Sequence, residues 1–88
     1  MPPTNPDPRY EHLRAVLISA RTEKKITQAA LGERLGKNQV WVSKYERGAR
    51  LLDVIEFLDI AHAIGVDPCR LLRKLAASSP AGKGDRPA

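Results

Sequence analysis

Gln39, Val40, Ser43 and Lys44 sit within six positions of one another and offer a long amide, an apolar branched group, a hydroxyl and a cation. That mixture suits the edges of base pairs. A glutamine amide can pair with adenine, a lysine with guanine acceptors, and a valine can pack on a thymine methyl. If residues 39–47 form a helix at about 100° per residue, Val40, Ser43, Lys44 and Arg47 fall on one side. Val42, Tyr45 and Glu46 fall on the other, with Gln39 and Trp41 between the two faces. Asn38 adds a second amide at the start of the same stretch. The plain alternative is a solvated helix face, but a solvated face seldom needs the valine. Arg47 and Arg50 flank Gly48 and are within reach of phosphates, and Lys37 precedes the stretch.

Such a face must be held by other elements, and the signals for them recur along the chain. Thr27 opens a helix over about 28–35, with Leu31 and Leu35 on its inner side and Gly36 to end it in a left-handed backbone. Asn38 then caps the helix over about 39–47, and Gly48 closes it. Two short helices joined by a tight turn are a helix-turn-helix, whose second helix can enter a DNA major groove. Gly32, inside the first of the pair, is read as a close approach, because glycine there costs about 1 kcal/mol of helix propensity. Asp7-Pro8 starts an earlier helix over about 8–24, with Leu13, Val16, Leu17 and Ala20 as its buried stripe. Arg9, Glu11 and Arg14 are its solvated positions. Asp53 with Glu56 is a capping box for a helix over about 54–64, with Val54, Ile55, Leu58, Ala61 and Ile64 inward and Gly65 at the end. Asp67-Pro68 starts a last helix over about 68–76. Residues 1–6 read as a disordered lead and 77–88 as a flexible tail, leaving one domain over 7–76. The fold class is all-α, a compact bundle of five helices.

Composition narrows the function. The 88 residues carry a net charge of +5, unevenly placed. Residues 9–26 and 27–50 each sum to +3, residues 51–68 to −4 and residues 69–88 to +4. A basic front with an acidic segment behind it is the balance expected of a polyanion binder, although a merely basic soluble protein shares it. The single cysteine, Cys69, excludes an internal disulfide and a multi-cysteine metal site, and it reads as a small packing residue. His12 and His62 have no ligand-type partner at helical spacing, so no metal and no cofactor is expected, and His62 reads as surface or half-buried. Ser43 lacks a neighbouring base, no carboxylates are paired for catalysis, and no glycine-rich phosphate loop occurs; the chain does not read as an enzyme. No membrane-spanning run and no signal-peptide plan are found, which points to a soluble, cytoplasmic protein.

The segments ITQAALGERLG, VSKYERG and DIAHAIGVDP together resemble the phage-repressor helix-turn-helix family, the Cro/cI-like or XRE type. The resemblance covers about residues 12–68, and Arg21, Thr27-Gln28, Leu31, Gly36, Val42, Tyr45-Glu46 and Gly48 stand in the family's order and spacing. It implies a lambda-repressor-like bundle that binds double-stranded DNA and regulates transcription, in a repressor-like manner, with the third helix in the major groove. Gln39, Val40 and Lys44 match positions that face base edges, with Asn38 and Ser43 as secondary candidates. Gln28 matches a residue that bonds a phosphate and braces Gln39, and the helix end at Thr27 adds its amides. Lys37, Arg47 and Arg50 would hold further phosphates. Arg21 and Glu46 match a salt bridge between the first and third helices. The chain departs from the family after Gly48, where Arg50-Leu51-Leu52-Asp53 replaces a usual proline, and Gly32 replaces a usual alanine. Trp41 occupies a variable position, and two placements are open for it, beside the DNA backbone or partly inside.

Two partner readings accompany this one. A homodimer would double the short stretch one helix can read, and Leu71, Leu72 and Leu75 with Leu51, Leu52 or Ile60 could supply its interface. The same leucines could instead simply close the bundle. No second domain for effector binding or oligomerisation is expected, and so small a bundle would be marginally stable without a dimer. Alternatively, the domain could be a protein-interaction module, such as an antitoxin whose main partner is another protein. A third reading is a basic factor binding nucleic acid without sequence choice.

Overall fold

The computed structural model describes residues 7–78. Five helices run in order: α1 (Pro8–Glu23), α2 (Gln28–Leu35), α3 (Gln39–Glu46), α4 (Val54–Ile64) and α5 (Pro68–Ser78). The expected lead at 1–6 and the tail from residue 79 lie outside the described residues, while residues 77 and 78 extend α5.

Each helix begins where a short side chain can replace a missing backbone acceptor. Asp7 accepts from the Arg9 N–H, Thr27 from Ala30, and Asn38 from Trp41. Asp53 and Glu56 form a reciprocal capping box, and the Asp67 carboxylate takes the Cys69 N–H at 2.9 Å. Gly36, Gly48 and Gly65 end α2, α3 and α4 with positive φ. The end of α1 lacks this help. Lys25 takes the left-handed conformation, φ 57°, while the Ile26 N–H reaches back to the Arg21 carbonyl at 3.2 Å. The pattern is a Schellman closure made with a lysine where glycine is easiest.

The core is Leu17, Ala20, Ile26, Leu31, Val42, Tyr45, Phe57, Ile60, Ala61, Ile64 and Leu71, all buried. α2 packs on α3, with α4 against α2, and α5 closes the bundle against α1 and α4. Gly32 explains how close α2 lies to the turn that follows it: a Cβ there would stand 2.9 Å from the Asn38 carbonyl oxygen. Lys24 and Arg34 reach across to the end of α4, donating to the carbonyls of Gly65 at 3.0 Å and Ala63 at 2.9 Å.

Several expectations require correction. Val54 and Ile55 do not face inward; they are 71% and 64% exposed. The buried stripe of α4 is Phe57, Ile60, Ala61 and Ile64, spaced i, i+3, i+4, i+7. On that register Ile55 lies about 170° from the stripe's centre, and Val54 occupies the helix's first turn. Ile60 and Leu71 belong to the core, so neither is available to an interface between copies; Leu72 remains exposed. Cys69 is exposed rather than packed, since Leu71 and Leu75 define the inner side of α5. Arg14 is half-buried, its guanidinium packed against Gly48 with Cζ 3.0 Å from where a Cβ would stand.

Candidate nucleic-acid interface

One hydrogen-bonded chain runs from the interior to the start of α3. Arg21 grips Glu46 side-on, Nε to Oε2 at 2.7 Å and the second nitrogen to Oε1 at 3.1 Å. The remaining Arg21 nitrogen donates to the Ile26 carbonyl at 2.7 Å, which ties the same guanidinium to the loop leading into α2. Glu46 Oε1 also accepts from Gln28 Nε2 at 2.8 Å. Gln28 Oε1 in turn accepts from Gln39 Nε2 at 3.3 Å. The ion pair is nearly buried, its side chains 11% and 6% exposed, so its geometry is shielded from competition by water. The far end of the chain is open: among the described residues nothing bonds the Gln39 carbonyl oxygen or its second amide hydrogen, the donor–acceptor pair an adenine edge requires.

The outer face of α3 continues from that point. Val40 is 55% exposed and Lys44 is exposed. Ser43 is half-buried and its hydroxyl accepts from Arg47 Nε at 3.2 Å, which steers Arg47 along the helix side. Asn38 spends its side-chain carbonyl on the Trp41 N–H at 2.9 Å, leaving its amide hydrogens outward. Thr27 is exposed beside Gln28, so the start of α2 presents its first amides at the same surface.

Trp41 is half-buried, edge-on to Tyr45 at 5.6 Å between ring centroids. Two cations lie over its ring, Lys37 Nζ at 5.5 Å and the Arg50 guanidinium at 5.0 Å from the centroid. Arg50 is not a free surface arginine. It forms a two-pronged ion pair with Glu56, 2.6 Å at its shorter contact. The hydrogen bond from Arg50 holds the Glu56 carboxyl below its usual range, and the same bond raises the Arg50 guanidinium. Burial pushes the Tyr45 phenol well above its ordinary value, and its hydroxyl, in the core, has no hydrogen-bond partner among the described residues. The structure therefore gathers Thr27, Gln28, Lys37, Asn38, Gln39, Val40, Ser43, Lys44 and Arg47 around the two helices, with Arg50 at the margin held by Glu56. Sequence reasoning left two placements open for Trp41, which is half-buried, and missed the contacts of Trp41 with Arg50 and Lys37 and the pairing of Glu56 with Arg50. Only the Asp53–Glu56 cap spacing hinted at the last of these.

The profile of the helix-turn-helix family matches residues 17–71, well over half of the chain. The chain belongs to the XRE-type helix-turn-helix family. As such it is a DNA-binding transcription regulator. Among solved structures, this XRE-type domain is similar to an XRE-family like protein from Pseudomonas syringae pv. tomato str. DC3000, at 50% identity and a TM-score of 0.78, covering 82% of this chain and 88% of the other. It is also similar to the clp gene regulator ClgR from C. glutamicum, at 28% identity and a TM-score of 0.72, covering 80% of this chain and 91% of that one. No curated protein sequence matches it. No helix among the described residues of the domain is long and apolar enough to cross a membrane.

Proposed function

We propose that this XRE-type domain is a sequence-specific, repressor-like regulator that places α3 in the major groove of double-stranded DNA. Gln39, Val40 and Lys44 read base edges, with Asn38 and Ser43 contributing at the margins. Thr27, Gln28, Lys37, Arg47 and Arg50 hold phosphates and set the register. The observation that carries this reading is the bonded sequence Arg21–Glu46–Gln28–Gln39, which anchors the first exposed side chain of α3 to the buried ion pair. A plain solvated face has no use for such an anchor, whereas a reader of bases needs its amide pre-oriented. The protein acts in the cytoplasm as a homodimer on two half-sites, and the exposed apolar Val54, Ile55 and Leu72 support a second copy as partner.

The test is selection of bound sequences from a randomised duplex pool at near-physiological salt. Enrichment of a palindrome with half-sites roughly 34 Å apart is the expected result. Salt-sensitive binding without enrichment would replace this reading with nonspecific binding. Absence of binding would favour a protein partner.

A further inference from the structure

Trp41, Lys37, Arg50 and Glu56 form a cluster beside the recognition helix whose donors can be counted one by one. A guanidinium has five N–H donors in one plane. One nitrogen of Arg50 gives both of its hydrogens inward, to the Leu51 carbonyl at 2.9 Å and to Glu56 Oε1 at 3.0 Å. The other gives one hydrogen to Glu56 Oε2 at 2.6 Å. What remains is the Nε–H and the second hydrogen of that last nitrogen. These two lie parallel on one edge, the fork that matches two oxygens of a phosphate. Among the described residues nothing accepts from that edge. The guanidinium carbon meanwhile lies 5.0 Å from the centroid of the Trp41 ring, over which Lys37 Nζ also sits at 5.5 Å.

We propose that Trp41 and Glu56 are positioning residues that hold the Arg50 guanidinium ready for a DNA backbone phosphate, with the unused Arg50 edge as the binding fork and Lys37 as the second cation. The inference rests on the DNA-binding reading above and adds to it an acidic residue that strengthens binding to a polyanion. An arginine tethered at its end by Glu56 and the Leu51 carbonyl and held over an aromatic ring has little rotamer freedom left to lose when the phosphate arrives. The gain is about two- to tenfold in affinity for one immobilised long side chain. Ordinary field effects predict the opposite sign for Glu56, since a negative charge near DNA repels it.

The test is equilibrium binding of the full chain to its selected duplex across a series of salt concentrations. Glu56→Gln retains the helix cap, because glutamine serves in a capping box. It should weaken binding about two- to tenfold, where simple charge removal would tighten it. Trp41→Leu should weaken binding similarly and Trp41→Phe should restore part of the loss. Arg50→Ala should lower the salt slope by about one. In the Arg50→Ala background, neither Glu56→Gln nor Trp41→Leu should weaken binding further, and base preference should be unchanged in all variants. Equal or tighter binding by Glu56→Gln, or full additivity with Arg50→Ala, would overturn the proposal while leaving DNA binding intact. If thermal melting shows Trp41→Leu unfolded, Glu56→Gln and Trp41→Phe decide. A wild-type chain that binds no duplex would overturn the parent reading and this one together.

Discussion

Replacing Glu46 by leucine should damage the protein in two separable ways. The first is stability. Glu46 balances the Arg21 guanidinium inside the protein, with side-chain exposures of only 11% and 6%. Removing one member of a buried pair leaves the other uncompensated, at a cost of about 3–5 kcal/mol. The lower end applies, because Arg21 keeps its bond to the Ile26 carbonyl. For a domain of this size about 3 kcal/mol corresponds to a fall of roughly 12–24 °C in Tm. The second is DNA reading, since Gln28 loses its acceptor and Gln39 loses its anchor. The double change Arg21→Met with Glu46→Leu separates the two. Well-packed apolar replacements of a buried ion pair are often neutral, so most of the lost stability should return, less about 1 kcal/mol for the unpaired Ile26 carbonyl. Gln39 stays unanchored in that variant, so base discrimination should stay impaired. Thermal melts combined with binding to the selected duplex and to single-base variants would measure both. A double variant that recovers full discrimination along with stability would mean that the bonded chain matters only to the fold and not to DNA reading.

Lys25→Gly should stabilise the protein by about 0.5–1 kcal/mol, because the left-handed lysine at φ 57° is replaced by a residue with no Cβ penalty, partly offset by unfolded-state entropy; denaturant unfolding checks the sign. Tyr45→Phe should be neutral or stabilising by up to about 1 kcal/mol, since the buried hydroxyl bonds nothing among the described residues; a clear loss in the same assay would mean that hydroxyl has a partner. Glu56 has a lowered folded-state pKa, so its contribution is present above its unfolded value of 4.5 and fades as pH falls through the folded value below that. Stability should therefore drop on acidification, and Glu56→Gln should flatten the dependence in melts recorded from neutral pH downward.

The helix starts could be read from sequence because capping is local. Asp7, Thr27, Asn38, Asp53 and Asp67 each act on a backbone N–H two or three residues away, and three of the helix ends carry a glycine that needs no neighbour to explain it. The face of α3 was legible for the same reason: helical geometry alone separates Val42 and Tyr45 from Val40 and Lys44. Long-range arrangements were not. The stripe of α4 was misplaced by its first apolar residues, since hydrophobicity at 54 and 55 says nothing of where the bundle ends. The Arg50–Glu56 pair spans a loop, beyond any periodicity, and the placement of Arg50 and Lys37 over the Trp41 ring depends on how that loop returns. The end of α1 was expected near Lys24-Lys25, but without a glycine nothing marked the left-handed residue.

Gln39, held by Gln28, is proposed to read a base pair. The most direct test is a base-by-base competition comparing the wild-type chain with Gln39→Ala on the selected duplex and on every single substitution of one half-site. Discrimination should collapse by about 1–3 kcal/mol at one base-pair position and survive at the others. A uniform loss across all substitutions, with the pattern of preference intact, would contradict it and assign Gln39 to the backbone.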